Sequence, residues 1–188
     1  MTEYLSDYMD EHKKVLSLMQ NKEFCDRINK IAEIIDECFK IGNKLILCGN
    51  GGSAADAQHI AAEFVVRFEK KRQALPAIAL NTNSSSLTAI GNDFSALEVF
   101  DRQVEAFGNK GDVLIGISTS GNSENVIRAV YKAKEKEMKT IMLLGKDGGR
   151  SRGLADTELI VPSNRTSHVQ EMHIMVGHMI CGIVEERV

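Results

Sequence analysis

The sequence predicts an α/β fold: a parallel sheet with helices on both faces. Three observations carry that prediction. Short apolar runs at 45–48, 77–80, 112–118, 140–144 and 158–161 each end in a turn or a helix start. Helical patterns fill the gaps, at 53–69, 84–91, 95–108, 122–137 and 166–186. Strands alternating with helices imply right-handed crossovers, and hence five parallel strands between two helical layers.

Two further helices, over 3–20 and 22–41, precede this alternation. The second carries Phe24, Ile28, Ile31, Ile34 and Ile35 at helical spacing and is stopped by Gly42 and Asn43. The first has an apolar stripe of Leu5, Met9, Leu16 and Met19. That stripe suits a subunit contact, and a helix folded onto its own domain would also bury it.

Composition narrows the function classes. At 188 residues, 43% hydrophobic and 26% charged, the chain suits one globular domain over 1–188. With a formal charge of −3 and no basic block, nucleic acid is a poor partner. No apolar run approaches the roughly 20 residues of a membrane span, and the acidic, polar start M-T-E-Y-L-S-D-Y-M-D-E-H-K-K lacks a secretory core. Cys25, Cys38, Cys48 and Cys181 show no paired spacing, so free thiols and a reducing cytoplasm are expected.

Between 44 and 64 an apolar strand meets the turn Gly49-Asn50-Gly51-Gly52, and a helix opens at Ser53. That arrangement aims free backbone N–H groups at an anion. The turn is not a Walker A loop, because no Gly-Lys-Ser/Thr follows, and it does not match a dinucleotide fingerprint. A second candidate is I-S-T-S-G-N-S-E-N, where Ser118, Thr119, Ser120 and Ser123 bring four hydroxyls to a strand end, with Asn122 or Ser123 as helix cap. An ordinary polar loop is the plainer reading, and phosphate binding is the sharper one.

His59 and Glu63 stand four apart on one helical face, among Ala54, Ala55, Ala57, Ala61 and Ala62. A solvated ion pair would explain them; so would metal ligation or general base catalysis. The last helix supplies Gln170, Glu171, His173 and His178 in an otherwise apolar run. His178 is expected at a buried face or an interface. Gln170 and His178 are about 12 Å apart along the helix; both reach one metal only by leaning toward each other, a strain on a one-chain site, or else they serve sites in different subunits. Gly91-Asn92-Asp93 reads as a helix end, with Asp93 available to sugar hydroxyls.

With these residues in view, the chain resembles the phosphoheptose isomerases of the sugar isomerase (SIS) domain family. The matching motifs are C-G-N-G-G-S-A-A-D-A-Q-H-I-A-A-E-F, A-I-G-N-D-F, G-D-V-L-I-G-I-S-T-S-G-N-S, G-K-D-G-G and V-Q-E-M-H-I-M-V-G-H. The resemblance implies an SIS-type three-layer sandwich assembled as a homotetramer, with residues 1–42 used in oligomerisation. It implies an aldose–ketose isomerase converting sedoheptulose 7-phosphate to D-glycero-D-manno-heptose 7-phosphate, the first step toward ADP-heptose for lipopolysaccharide or capsule. Carried over by motif, Glu63 and His178 would be catalytic. Zinc, one divalent metal per site, would be held by His59, Glu63, Gln170 and His178. Asn50, Gly51, Gly52, Ser53, Glu63, Asn92, Asp93, Ser118, Thr119, Ser120, Ser123 and Gln170 would contact the sugar phosphate. Ser167 departs from the acidic residue some isomerases carry there. The rival reading is a related non-catalytic SIS tetramer that binds the bacterial replication initiator. It lacks the residues matching Glu63 and His178, and an arginine stands at the position of Ser120. A sugar-phosphate-sensing regulatory module is disfavoured because no DNA-binding segment is attached.

Overall fold

Apolar runs buried on both faces suit the inner strands of a parallel sheet, and β1 (Leu45–Gly49) and β3 (Val113–Ser118) are buried along their whole length. The computed structural model describes residues 2–188. The other strands are β2 (Ala77–Ala79), β4 (Lys139–Gly145) and β5 (Thr157–Val161), all parallel, in the order β2-β1-β3-β4-β5. The helices are α1 (Glu3–Met19), α2 (Lys22–Lys40), α3 (Gly52–Val65), α4 (Ser84–Asp93), α5 (Asp101–Phe107), α6 (Glu124–Glu135) and α7 (Thr166–Glu185). The α/β prediction therefore holds, with the two extra helices in front. Among the described residues, no helix is long and apolar enough to cross a membrane.

Period-two alternation within the strands builds two cores. Leu45, Leu47, Ile115 and Ile117 face α2, α3 and α7; Ile46, Cys48, Leu114 and Leu144 face the α5–α6 layer. From α2, Ile28, Ile31 and Ile35 enter the first core at one-face spacing, as the sequence predicts. Truncating a side chain such as Ile31, which is wholly buried, costs about 2–5 kcal/mol. The α1 stripe splits. Met19 is buried and Leu16 packs against the core, whereas Leu5 and Met9 are 49% and 41% exposed. Cys38, Cys48 and Cys181 are buried free thiols, and Cys25 is exposed.

Three boundaries differ from expectation. The helix expected over 95–108 is broken into a 3-10 turn, Ala96–Glu98, and α5, because Ser95 Oγ accepts the Leu97 N–H and starts a separate turn. The helix expected to reach residue 69 stops at Val65. There, the Arg72 guanidinium takes the carbonyls of Glu63 and Phe64, and Glu185 accepts the N–H groups of Phe68, Glu69 and Lys70. The helix expected to end at 91 runs through Gly91 and Asn92 to Asp93.

Candidate active site

The strand order makes β1 and β3 neighbours whose crossovers run to opposite sides of the sheet, and that switch point opens a crevice beyond their carboxyl ends. Both sequence-predicted loops lie there. Gly51, at φ 57°, adopts the left-handed conformation that starts α3. Asn50 and Asn125 exchange amide hydrogen bonds of 2.8 and 3.0 Å, fastening the first loop to the start of α6. In the second loop, Ser118 Oγ lies 2.9 Å from Ser123 Oγ, and Ser120 Oγ accepts the Asn122 N–H at 3.1 Å. Neither α3 nor α6 has a side-chain cap, so two helix N-termini present backbone amides to the crevice. Ser53 is buried, its N–H bonded to Asn50 O, and Thr119 follows Ser118 at the end of β3.

The ionisable centre stands on α3 and α7. His59 Nε2 lies 3.0 Å from His178 Nε2 and 3.3 Å from Glu63 Oε1. The three ligand atoms fall within 4.8 Å of one another in one chain. Gly177 sets this approach: a Cβ there would stand 2.4 Å from Ile60 Cδ1, so only a glycine lets α7 lie this close to α3. The Phe68 ring stacks on His178, with centroids 5.5 Å apart and planes at 21°, and so fixes the imidazole. Phe68 is itself held by the loop that Glu185 gathers. Burial opposes charge on Glu185, but the amide donors of Lys70, Phe68 and Glu69, with Arg72, outweigh it and hold its carboxyl below the usual range. Arg72 Nε lies 3.1 Å from Glu185 Oε1 and is buried with it, tying the ends of α3 and α7 together.

Gln170 is differently engaged. Its Nε2 donates to Asp56 Oδ1 at 2.6 Å, and its stem lies against Gly52, where a Cβ would meet Gln170 Cγ at 3.2 Å. Gln170 thus borders the first loop, while His59, Glu63 and His178 converge on one another. Asp56 is a residue that sequence reasoning missed. Burial pushes its carboxyl up to about 6, with the Gln170 hydrogen bond and His59 pulling the other way. Its signal was present, since residues 56, 59 and 63 share a helical face. Asn125, the partner of Asn50, was missed as well. Asn92 and Asp93 are exposed and bonded to each other at 2.7 Å, on a helix with no buried residue.

The histidines of α7 differ in burial. His178 is only partly buried, and His59 has a 50% exposed side chain. The fully buried histidines of α7 are His168 and His173. Side-chain direction decides this: His173 points into the sheet and bonds Leu144 O at 2.9 Å, whereas His178 faces α3.

Two imidazole nitrogens and a carboxylate oxygen converging on one point form a donor set suited to a borderline cation such as Zn²⁺. Together with an anion cradle on the same crevice, this arrangement can bind a phosphorylated polyol and move protons on it.

Known proteins agree with this geometry. The SIS domain profile matches residues 7–145. The phosphoheptose isomerase of Clostridium acetobutylicum is 58% identical over 169 residues, covering 90% of this chain and 86% of that protein. Among solved structures, the phosphoheptose isomerase of Neisseria gonorrhoeae superposes with a TM-score of 0.92 at 42% identity, covering 98% of each chain. That of Francisella tularensis gives 0.95 at 36% identity, covering 99% of this chain and all of the other. This chain belongs to the phosphoheptose isomerase family of SIS-domain proteins.

Proposed function

We propose that this chain is an aldose–ketose isomerase that interconverts sedoheptulose 7-phosphate and D-glycero-D-manno-heptose 7-phosphate, opening the route to ADP-heptose for lipopolysaccharide or capsule. The observation that carries this reading is the convergence of Glu63 and His178 beside His59 in one chain, next to a crevice built for an anion. The names of the relatives support it over the non-catalytic tetramer.

The reaction moves one proton between neighbouring carbons. A base takes the proton from the carbon beside the carbonyl, the carbonyl oxygen is protonated, and reversal at the other carbon completes the exchange. Glu63 and His178 are the two titratable groups placed for these transfers. Phe68, stacked on His178, limits the imidazole's rotation and shields one of its faces from water. The amides at the starts of α3 and α6, with the hydroxyls of Ser118, Thr119, Ser120 and Ser123, hold the phosphate. Asn50, Gly51, Gly52, Ser53, Gln170 and Asp56 line the first loop, and Asn92 and Asp93 are the remaining candidate sugar contacts. One divalent cation, zinc in our reading, would be held by His59, Glu63 and His178 with Gln170 as a fourth candidate, and would polarise the sugar oxygens.

We further infer a cytoplasmic homotetramer in which residues 1–188 form one SIS unit and residues 1–42 contribute to assembly. The exposed Leu5, Met9 and Met179 support this, as does an apolar groove of about 480 Å³ between α2 and α7 whose lining includes Ile28, Met179 and Ile183. Incubation of the purified protein with sedoheptulose 7-phosphate should yield the aldose phosphate. No conversion by folded, zinc-supplemented protein would overturn the assignment.

A further inference from the structure

A second cluster of metal-ligating side chains lies apart from the first, where α1 crosses the opening turns of α7. His12, His168 and Glu171 each place one ligand atom within 4.8 Å of the others. His12 Nδ1 is 2.9 Å and His168 Nδ1 3.2 Å from the same oxygen, Glu171 Oε2. A tetrahedral Zn²⁺ with bonds of about 2.0–2.1 Å sets its ligand atoms about 3.3 Å apart, close to the spacing found here.

Outer partners stand behind the ligands. Tyr8 O–H donates to Glu171 Oε1 at 2.5 Å. Behind His168, Glu11 Oε2 lies 3.4 Å from Nε2, and Glu11 is held at 2.5 Å by Arg165.

With a neutral His168 ring, hydrogen bonding alone leaves this cluster mismatched. If the neutral His168 ring donates from Nδ1 to Glu171, its Nε2 is a bare acceptor facing the Glu11 carboxylate, and two acceptors oppose each other. His168 Nε2 is buried without a hydrogen-bond partner, on a side chain only 1% exposed. A second ring proton would satisfy both carboxylates, and a metal cation on Nδ1 does so with a neutral ring, whose proton then sits on Nε2 and points at Glu11. That is the carboxylate–histidine–metal arrangement that fixes a ligating imidazole. A cavity of about 320 Å³ lined by Tyr8, Met9, His12, Lys13 and Glu171 opens onto the cluster, providing access and a free coordination position.

We propose that His12 Nδ1, His168 Nδ1 and Glu171 Oε2 form a second divalent-cation site, with Zn²⁺ the ion its imidazole–carboxylate chemistry suits. The site pins α1 to α7 one residue from Gln170, independently of the reaction assigned above.

The test is metal stoichiometry on the chelator-stripped full chain, titrated with Zn²⁺ and, for visible absorption, with Co²⁺. His12→Ala should lose one equivalent per chain relative to wild type. His59→Ala should keep that equivalent, with the intense visible bands of four-coordinate Co²⁺. Glu171→Gln, which preserves volume, should lose the same equivalent and stands in if His12→Ala does not fold. The proposal is overturned if folded His12→Ala or Glu171→Gln binds as much metal as wild type. Loss of all bound metal in His59→Ala would also overturn it.

Discussion

Acid sensitivity at His173 gives a quantitative test of how α7 is seated. The ring is wholly buried, Nε2 bonds the Leu144 carbonyl, and Nδ1 has no partner. Burial lowers its pKa from 6.5 to about 4, with the Leu144 bond resisting slightly. The folded state therefore keeps the ring neutral while the unfolded chain protonates it. The associated stability is intact above about pH 6.5 and is lost as pH falls toward about pH 4. A depression of about 2.5 units is worth about 3 kcal/mol in full, and about 2 kcal/mol of it is lost by about pH 5. Urea unfolding of wild type and His173→Leu at about pH 7.5 and about pH 5 measures the difference. The variant is expected to be weaker at neutral pH, having lost the Leu144 bond, but should lose about 2 kcal/mol less on acidification. Asp56, raised to about 6, acts with the opposite sign, since its ionisation costs the fold stability as pH rises. It is present in both proteins and cancels. Parallel losses in wild type and variant would refute a neutral, buried His173.

Four further outcomes follow from the site. Glu63→Gln should retain the fold and lower turnover by about 10² or more. Because His59, Glu63 and His178 meet within one chain, verified hybrids of Glu63→Gln and His178→Ala subunits should regain no activity, and partial recovery would place the two groups on different subunits. Ser120→Ala removes the acceptor of the Asn122 N–H and a hydroxyl proposed to bind the phosphate, so KM should rise by the equivalent of about 0.5–1.5 kcal/mol; an unchanged KM would remove Ser120 from the proposed phosphate site. Gly177→Ala forces a methyl onto Ile60, which should cost about 1–3 kcal/mol and reduce turnover by parting His178 from His59, and full activity at native stability would contradict that packing.

The fold was legible because its signals are local. Apolar runs such as Leu45–Gly49 and Val113–Ser118 can only be inner strands of a covered sheet, and the turns after them mark the crossovers. The misplaced end of α3 belongs to an element stopped from a distance. Nothing in F-V-V-R-F-E-K-K announces the end of α3, because the groups that stop it are Arg72 and Glu185, the latter more than a hundred residues away.

The site follows the same division. The two loops and the His59–Glu63 pair were readable because each occupies one element with a fixed period. What spacing along α7 could not show is how far that helix approaches α3. The rise from Gln170 to His178 left open whether one chain or two would close the ligand set. In the fold, His178 instead meets His59 and Glu63 on α3, while Gln170 turns to Asp56 near the first loop. Within one chain, the close packing at Gly177 is what brings His178 to His59 and Glu63. The His12–His168–Glu171 cluster was invisible for the same reason, since its members lie at opposite ends of the chain and no local period links them. In the homotetramer proposed above, assembly would add cover to the first site. His59 is half exposed in the single chain, and an isomerase that moves protons on an enediol gains from a neighbour that excludes water.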